Sequence, residues 1–494
     1  MDKKEKALYH KCMLTRQIHL ERGLLMEHII SKLFETVKDT RNFIEAEESM
    51  HYLMQEWFSG LVGDMLTSLS RVVKEKKQSE GWRVKREDCK TIQFMFGPVC
   101  YRRTLMVDPQ GENHYPLDEW LGIRKHQRQS PLVEVKVAEM ASEATYRETA
   151  RVLKDWTAVH ISHQTVGNIV KQVGAAQARE DENMVTELEE AAALPEGKHV
   201  DYLYAEADGV FIRGTEKKKG IEVSHGVVYE GWDTNGKRVS LQHPKAVMTT
   251  QPTSDFWKEV QAITASHYSL EKTQVVTNSD GGKGYTAEKF QEAFSQSAYP
   301  VFNQLDSYHV FQALNRALGA QKSEYKEGLR KALKGHDKED FRLWLDTYES
   351  TLEEPKKIEK VKEFRTYILK NWDRIFDWRD KVKNTPEGAR SLGAMESNQR
   401  HISFRMKKRG MHWSREGGEA MVKIKQGILN GTLRDAYLQQ QPRSVRKQRE
   451  FKKMVRLTEI LRQPTRPSVG VKDGSVALYT AHSTAMGNLM KSFQ

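Results

Sequence analysis

The stretch Tyr202-Leu-Tyr-Ala-Glu-Ala-Asp208-Gly209 decides the fold class of this chain. An apolar run of this kind predicts a β-strand, and this run leads into an acid followed by a glycine. Residues two apart point to the same face of a strand, so Glu206 should share a face with Asp208. A carboxylate at a strand end, beside a glycine that permits close approach, suits a divalent cation. A lone acid on the protein surface would show the same pattern.

The residues that follow continue an α/β pattern from about residue 200 to residue 312. Helices are predicted at Asp255–Thr264 and Ala287–Ser295. Further strand-like runs occur at Val210–Ile212, Val223–Tyr229, Val239–Leu241, Gln274–Thr277 and Val301–Gln304. The sequence therefore predicts an α/β domain in this region.

A second strand-like run leads into Asp280, within Val275-Val-Thr-Asn-Ser-Asp280-Gly281-Gly282-Lys283-Gly284. The glycines suggest a phosphate-binding loop, but the spacing G-x-x-x-x-G-K-[ST] is not met. Gly284 stands where Ser or Thr would bind magnesium. An acid at a strand end is therefore the better interpretation, and an ordinary Asp-Gly turn is the alternative.

A third acid, Glu396, lies within Gly393-Ala-Met-Glu396-Ser-Asn398-Gln-Arg400. If a helix begins here, Glu396 shares one face with the residues that follow at helical spacing, namely Arg400, Ser403 and Lys407. A carboxylate followed by a basic helical face suits a site that holds a metal and binds a phosphate backbone. The alternative is a surface Glu–Arg pair, which contributes only about 0.2–0.5 kcal/mol.

Taken together, the three acids match a chemical requirement. Phosphodiester chemistry can use two Mg²⁺ ions roughly 4 Å apart, one acting on the attacking oxygen and one on the leaving oxygen. Mg²⁺ prefers hard oxygen ligands, which carboxylates supply. The sequence therefore predicts that Asp208, Asp280 and Glu396 are catalytic residues that hold two Mg²⁺ ions, which Mn²⁺ could replace.

The order of these motifs resembles that of bacterial DDE transposases of the Mutator-like superfamily, and more closely the ISLre-type insertion-sequence transposases. The resemblance covers nearly the whole chain, to the end of a basic segment near Arg466. Its most specific parts are Tyr204-Ala-Glu-Ala-Asp208-Gly-Val, Ser279-Asp280-Gly-Gly-Lys283-Gly284 and Glu396-Ser-Asn-Gln-Arg-His-Ile-Ser-Phe-Arg405-Met-Lys407-Lys-Arg-Gly410-Met-His-Trp413. Related families place an asparagine three residues after the glutamate, whereas Asn398 follows Glu396 by two.

The resemblance implies an RNase H-like catalytic domain with an all-α insertion between the second aspartate and the glutamate. It also implies Mg²⁺-dependent cleavage of DNA at the element ends, followed by attack of the freed 3′-hydroxyl on target DNA. No covalent protein–DNA intermediate is expected. The partners would be double-stranded DNA, as terminal repeats and target, and a second copy of the chain, since synapsis of two ends usually requires at least a dimer.

The resemblance also assigns roles to residues outside the triad. Asp306-Ser-Tyr-His309 is similar to an accessory motif of the superfamily, so Asp306 and His309 are expected at the site. Three basic residues would hold DNA phosphates, namely Arg400, Arg405 and Lys407. Trp413 would either stack on an exposed base or lie in the core.

A helix-turn-helix-like DNA-binding region is predicted at residues 129–176. Ser130-Pro131 and Thr145-Tyr146-Arg147-Glu148 are helix start signals, and Ser162 begins a further helix after a break. His163 and Gln164 would face outward and read DNA. An ordinary helical hairpin would look similar, because the turn is longer than usual.

The predicted fold class is α/β, with helical and helix-turn-helix-like regions N-terminal to the catalytic core. The boundaries are 1–75 for an N-terminal helical region, 88–128 for a β-hairpin region, 129–176 for the DNA-binding region, 200–312 and 391–430 for the two parts of the catalytic core, 313–390 for the helical insertion and 431–494 for a basic C-terminal region. The hairpin is centred on Gly97-Pro98, and Cys89 and Cys100 beside it are expected to be structural.

Charge and composition agree with a DNA partner. The net charge is +12, and residues 397–466 hold 18 Lys and Arg against 5 Asp and Glu, so the rest of the chain is nearly neutral. A basic stripe of this kind is typical of a surface that binds a polyanion, most often nucleic acid, although a solvated basic tail is the alternative. With three cysteines, no secretion signal and no apolar run long enough to cross a membrane, a reducing cytoplasm is expected, with nucleoid association on DNA.

Three other functions remain open from the sequence. A tyrosine recombinase would use His412-Trp-Ser-Arg415 and Tyr437 around a scissile phosphate, without metal. A catalytically inactive or domesticated DNA-binding protein would need only the helix-turn-helix-like region and the basic segment. An RNase H-like nuclease would cleave DNA without strand transfer.

Overall fold

The structure, a computed structural model, describes residues 27, 29–192, 196–216, 220–319, 321, 323–382 and 384–440. The chain divides into two units. The first takes in the described residues up to Glu134, then Ala150–Ser162 and those from Leu438 onward, and the second takes in Val135–Thr149 and His163–Tyr437.

The first unit is built on a long helix, α1 (Phe43–Ser79), preceded by helical residues 29–38. Asn42 begins α1, because its side chain accepts a hydrogen bond from the Glu45 backbone at 3.0 Å. A Cβ at Gly63 would lie 2.4 Å from the Cys100 carbonyl oxygen, so glycine lets the helix lie against a strand. The N-terminal region is therefore helical to Ser79; of the predicted range 1–75, residues 1–26 and 28 lie outside the described part.

The hairpin pairs β1 (Arg83–Phe94) with β2 (Gly97–Val107), and β3 (Asn113–His114) pairs with β2. The predicted position of the turn, at Gly97-Pro98, was wrong. The chain turns at residues 95–96, and Gly97 is the first residue of β2. The strand also begins earlier than predicted. Its first five residues are exposed and mostly charged, so the sequence shows no alternation of apolar and polar residues there. Leu66, Val73 and Val99 are among the residues that form the core between α1 and this hairpin.

Four helices follow: α2 (Pro116–Leu121), α3 (Pro131–Glu143), α4 (Tyr146–Trp156) and α5 (His163–Glu190). The start signals act as predicted, because Ser130 Oγ accepts from the Val133 backbone at 3.3 Å and Thr145 Oγ1 accepts from the Glu148 backbone at 3.2 Å. Helix α5 has 28 residues and continues well beyond the predicted boundary at residue 176.

A mixed five-stranded sheet forms the centre of the second unit, in the order β10-β9-β4-β5-β8. Its strands are β4 (Tyr202–Arg213), β5 (Gly220–Tyr229), β8 (Lys245–Thr249), β9 (Gln274–Ser279) and β10 (Phe302–Leu305). Strand β5 is antiparallel to β4 and β8, whereas β9 is parallel to β4 and β10 is parallel to β9. A separate hairpin, β6 (Gly231–Asn235) and β7 (Arg238–Gln242), connects β5 to β8.

Strand β4 does not end at Asp208, as the sequence suggested. Asp208 pairs with His225 and Gly209 with Ser224, so the ladder with β5 continues to Arg213. The runs predicted as two strands are therefore one. A polar residue and a glycine interrupt the apolar pattern, but pairing with a neighbouring strand still satisfies the backbone there.

The two faces of the sheet are covered differently. Helices α6 (Thr253–His267) and α7 (Ala287–Ala293) cover one face, where Leu203 and Val275 pack with Phe256. On the other face an aromatic cluster joins Tyr204 and Trp378, whose ring centroids are 5.2 Å apart.

A helical segment follows β10. It consists of α8 (Ser307–Leu318), α9 (Glu324–Lys334), α10 (Lys338–Ser350) and α11 (Pro355–Lys370), then two short 3₁₀ turns at Trp372–Arg374 and Trp378–Asp380. These helices have their own apolar core, which includes Leu314, Leu329 and Phe341. The segment begins at Ser307, before the predicted residue 313, because Asp306 caps α8.

The last described elements start at α12 (Ala394–Asn398). The helical path continues through Arg400–Ile402 and a π-helical stretch, Ser403–Lys407, and then come α13 (Arg415–Asn430) and α14 (Leu433–Gln439). Of the predicted basic region 431–494, residues 441–494 lie outside the described part. No helix in the described part of the chain combines the length and apolarity needed to cross a membrane.

Candidate active site

Asp208 and Asp280 come together at the centre of the sheet. Strands β4 and β9 are parallel neighbours with Glu206 opposite Asn278, and each acid follows two residues later. Both acids line one cavity of about 510 Å³, which also holds Lys283. The Asp280 carboxylate accepts a hydrogen bond from the Gly282 backbone at 2.8 Å. The structure therefore brings two of the three predicted catalytic acids into one cleft.

The negative charge of Asp280 acts on the Asp208 carboxylate. Burial and the nearby negative charge of Asp280 raise the pKa of Asp208 to about 6. The Gly209 backbone and the side chains of His309 and Gln399 oppose this shift. Two like charges in a buried site are unfavourable unless a cation offsets them.

The accessory motif lies beside these acids. Asp306 directly follows β10, and its side chain accepts a hydrogen bond from the Tyr308 backbone at 3.0 Å at the start of α8. One turn later, His309 Nε2 lies 3.8 Å from Asp208 Oδ2 and 4.0 Å from Asp306 Oδ2. The pKa of Asp306 is raised, mainly by burial. His309 therefore lies between two carboxylates of the site.

Glu396 is exposed on α12 and does not line the cavity that Asp208 and Asp280 share. In the described residues, the one group of three metal-ligating side chains within 4.8 Å of one another is Asp108, Glu112 and His114, in the first unit. The predicted triad is thus brought together only in part.

The residue that reaches the site from this helix is Gln399, whose side-chain amide donates to Asp208 Oδ2. Glu396 precedes it by three residues and therefore lies on the same side of the helical path. Gln399 was not among the site residues predicted from the sequence, although the asparagine of related families stands at this spacing after the glutamate. Asn398 has another role, since its amide donates to the Ala394 carbonyl oxygen at 2.9 Å.

The three basic residues expected to hold phosphates are placed differently. Arg400 and Lys407 are exposed. Arg405 is fully buried, and its guanidinium donates to the Ala141 carbonyl oxygen at 2.9 Å and lies over the Trp413 ring. Arg405 is therefore held in the interior, where no phosphate reaches it, because the π-helical stretch turns its side chain inward. Its burial contradicts the assignment made from the sequence.

The remaining candidates also divide between surface and core. His163 and Gln164 are exposed in the first turn of α5. Trp413 is buried and its indole N–H donates to the Met406 carbonyl oxygen at 3.0 Å, so it is a core residue. Tyr437 is also buried, and its hydroxyl accepts from the Gln172 amide at 2.6 Å. A buried hydroxyl of this kind is poorly placed to act as a nucleophile on DNA.

The residues of the cleft fit a divalent cation. Asp208 and Asp280 offer hard oxygen ligands, and Asp306 adds a third carboxylate nearby. The raised pKa of Asp208 is the expected sign of crowded negative charge, which a bound cation would relieve. The Glu396 carboxylate would have to move from its exposed position to join them.

Comparison with known proteins assigns this chain to a family. The model of an uncharacterised protein family, UPF0236, matches residues 36–441. A UPF0236 protein in the vanSb 3′ region of Streptococcus gallolyticus is 31% identical over 415 residues, covering 84% of this chain and 89% of its own. Two UPF0236 proteins of Caldanaerobacter subterraneus are each 26% identical, one over 82% of both chains and one over 85% of both chains. The name of the second joins eleven locus designations. This chain belongs to the UPF0236 family.

Proposed function

We propose that this chain is a DDE transposase that binds the ends of its own element and catalyses Mg²⁺-dependent DNA cleavage and strand transfer. The observation that carries the proposal is the pairing of Asp208 and Asp280 in one cleft on adjacent parallel strands. His309 and Asp306 lie beside them, as the resemblance to these transposases leads one to expect.

The sheet supports an RNase H-like catalytic domain. Three strands joined antiparallel, β4, β5 and β8, are followed by β9 and β10, which add in parallel on the other side of β4. This order and these directions support the proposal of an RNase H-like sheet. The helices from α8 to α11, which come between Asp280 and Glu396, would then be the all-α insertion.

The residues of the cleft suggest how the reaction would proceed. Asp208 and Asp280 would hold the metal, and Glu396 would complete the set. Bound Mg²⁺ ions would supply an activated water and offset charge on the scissile phosphate. His309, beside Asp208 and Asp306, would orient both carboxylates and donate a hydrogen bond. Lys283, which lines the same cavity, would attract the DNA backbone.

The surface chemistry fits double-stranded DNA. Arg400 and Lys407 are exposed on the path that follows Glu396, so both would contact phosphates. His163 and Gln164, exposed at the start of α5, would contact DNA as well. We further propose that two copies of the chain act together on two element ends, in a bacterial cytoplasm at the nucleoid.

The relatives add an independent argument. One name that joins eleven loci of a single bacterium fits a gene present in several copies. Transposition produces such copies. A DNA-binding regulator would have no comparable reason to multiply.

A strand-transfer assay tests the proposal. Purified protein would be incubated with labelled DNA that carries the sequences flanking its own gene, with Mg²⁺ and a target plasmid. The expected products are nicks at the element ends and joined molecules. Cleavage without joining would indicate a nuclease, and binding without cleavage would indicate a DNA-binding protein only.

Matched variants identify the chemistry. Asp280→Asn and Glu396→Gln should abolish both products while DNA retardation persists. Glu353→Gln makes the same charge change at an exposed residue and should behave as wild type. Undiminished cleavage by Asp280→Asn would refute the metal mechanism.

A further inference from the structure

Glu206 is a buried carboxylate that the proposed reaction does not use as a ligand. It lies on β4 two residues before Asp208 and is only 1% exposed. Two side chains of the sheet donate to it: the Tyr229 hydroxyl at 2.7 Å and the Asn278 amide at 3.1 Å. Burying a carboxyl group is costly unless its oxygens are hydrogen-bonded, and these two bonds satisfy part of that requirement.

The rest of the set comes from the segment that begins α12. The backbone N–H groups of Gly393, Ala394 and Met395 donate to the two Glu206 oxygens at 3.0–3.3 Å. These are among the N–H groups that a helix leaves without partners at its start. Their positive partial charge favours a carboxylate there.

This contact stabilises the start of helix α12, which is too short to be stable alone. Helix α12 has five residues, Ala394–Asn398, and a helix so short is not stable on its own. Glu396 follows the bonded Met395 directly. One side chain therefore connects the strand that carries Asp208 to the turn that carries Glu396.

We infer that Glu206 is a positioning residue that sets the place of Glu396 relative to Asp208 and Asp280. It acts through the backbone of residues 393–395 and touches neither substrate nor metal, because its oxygens are already occupied by protein donors. The inference rests on the proposed function, since it assigns a role within that site.

Glutamine is a sharp test of this role. Each Glu206 oxygen accepts from two backbone N–H groups and one side chain. Glu206→Gln keeps the volume but turns one acceptor into a donor. Whichever way the amide is oriented, its NH₂ group would face backbone donors, so α12 should loosen without a large cavity.

The experiment compares full-length wild type with Glu206→Gln by three measurements. Hydrogen exchange should be at least about tenfold faster at residues 393–399. Titration with Mn²⁺, followed by its paramagnetic resonance signal, should give an affinity about 10–100-fold weaker, the range for residues that orient metal ligands. DNA retardation should be unchanged while the cleavage rate at saturating DNA falls.

Glu419→Gln is the matched control. Glu419 connects α13 to the edge of the sheet, accepting from the Thr250 backbone at 2.5 Å and from the Thr249 hydroxyl at 2.9 Å. Glu419→Gln should lower the melting temperature without altering exchange at 393–399 or Mn²⁺ affinity. A change of the same size in both variants would show a merely structural role.

The failures of the inference and of the proposed function are distinguishable. If wild type cleaves DNA and Glu206→Gln matches it in cleavage, exchange and Mn²⁺ affinity, the inference is overturned and the function stands. If wild type neither cleaves nor binds Mn²⁺, the proposed function fails and positioning of a catalytic Glu396 fails with it. Faster exchange at 393–399 would then assign Glu206 only to holding α12.

Discussion

Replacing Asp208 by asparagine should stabilise the folded chain at neutral pH while it abolishes activity. The pKa of this carboxyl is raised from 3.8 to about 6, by burial and by the charge of Asp280. One pKa unit corresponds to about 1.4 kcal/mol, so keeping Asp208 ionised in the folded chain costs about 3 kcal/mol at pH 8. Asparagine removes that cost.

The net gain should be smaller. Asparagine retains an acceptor for the Gly209 backbone N–H, which donates to Asp208 Oδ1 at 2.7 Å. It loses the hydrogen bond from Gln399, because the asparagine NH₂ group then takes the place of Asp208 Oδ2 and faces the Gln399 NH₂ donor. We therefore expect about 1–2 kcal/mol, or a rise in melting temperature of about 2–8 °C for a unit of this size.

The pH dependence of the stability gain tests the direction of the Asp208 pKa shift. Between pH 4 and 6 the folded chain holds a proton on Asp208 that the unfolded chain has lost, so wild-type stability from this group falls as pH rises through that window. The gain from Asp208→Asn should be full at pH 8 and should shrink towards pH 4. Thermal unfolding at pH 5 and pH 8, without divalent cations, measures it.

Magnesium and a control variant complete the test. Mg²⁺ should raise the melting temperature of wild type at pH 8 but not that of Asp208→Asn. Asp373→Asn, at an exposed acid, should show no pH-dependent gain. A loss of stability at pH 8, or an equal gain at both pH values, would refute the reasoning.

Four further substitutions separate surface from core. Arg405→Ala should lower the free energy of unfolding by about 3 kcal/mol, because it removes a buried side chain. Lys407→Ala should leave the melting temperature unchanged and should reduce the salt dependence of DNA binding by about one phosphate contact. Equal melting temperatures for the two variants would contradict the burial of Arg405. Tyr437→Phe should cost about 1 kcal/mol in thermal unfolding and leave DNA cleavage intact, and a covalent DNA adduct at Tyr437 would overturn the metal mechanism. Lys423→Met should cost about 3–5 kcal/mol, because it leaves two buried carboxylates, 2.7 and 2.6 Å away, without their cation; a denaturant titration that shows less than about 1 kcal/mol would contradict this.

Local signals in the sequence predicted local structure well. The caps at Ser130 and Thr145 act on the backbone N–H groups three residues later, within one turn, so no distant residue has to be known. The strand runs around Val275 and Val223 were readable for the same reason, since a buried strand is apolar along its length. The extended first half of β1 was not, because its exposed residues depend on pairing with β2.

The candidate site shows the same division. Asp208 and Asp280 were predicted from strand-like runs that lead into an acid, whereas Asp306 and His309 were predicted only through the resemblance to the transposases. The resemblance assigned Arg405 to DNA phosphates, and Gln399 was passed over. The direction of the Arg405 side chain depends on the π-helical stretch after Ile402, which rotates the helical path by an amount that no regular period predicts.

By itself, then, the sequence determined the order of helices and strands and the acids that the strands carry, because these follow from periodicity and caps within a few residues. Only the tertiary structure decided that β9 adds in parallel beside β4, which places Asp280 next to Asp208. The tertiary structure also decided that Glu206 is buried and bonded to the start of α12, whereas the sequence alone was equally consistent with a surface acid. Both outcomes depend on contacts between residues that are far apart in the chain, almost two hundred positions in the case of Glu206, and a local sequence pattern does not contain that information.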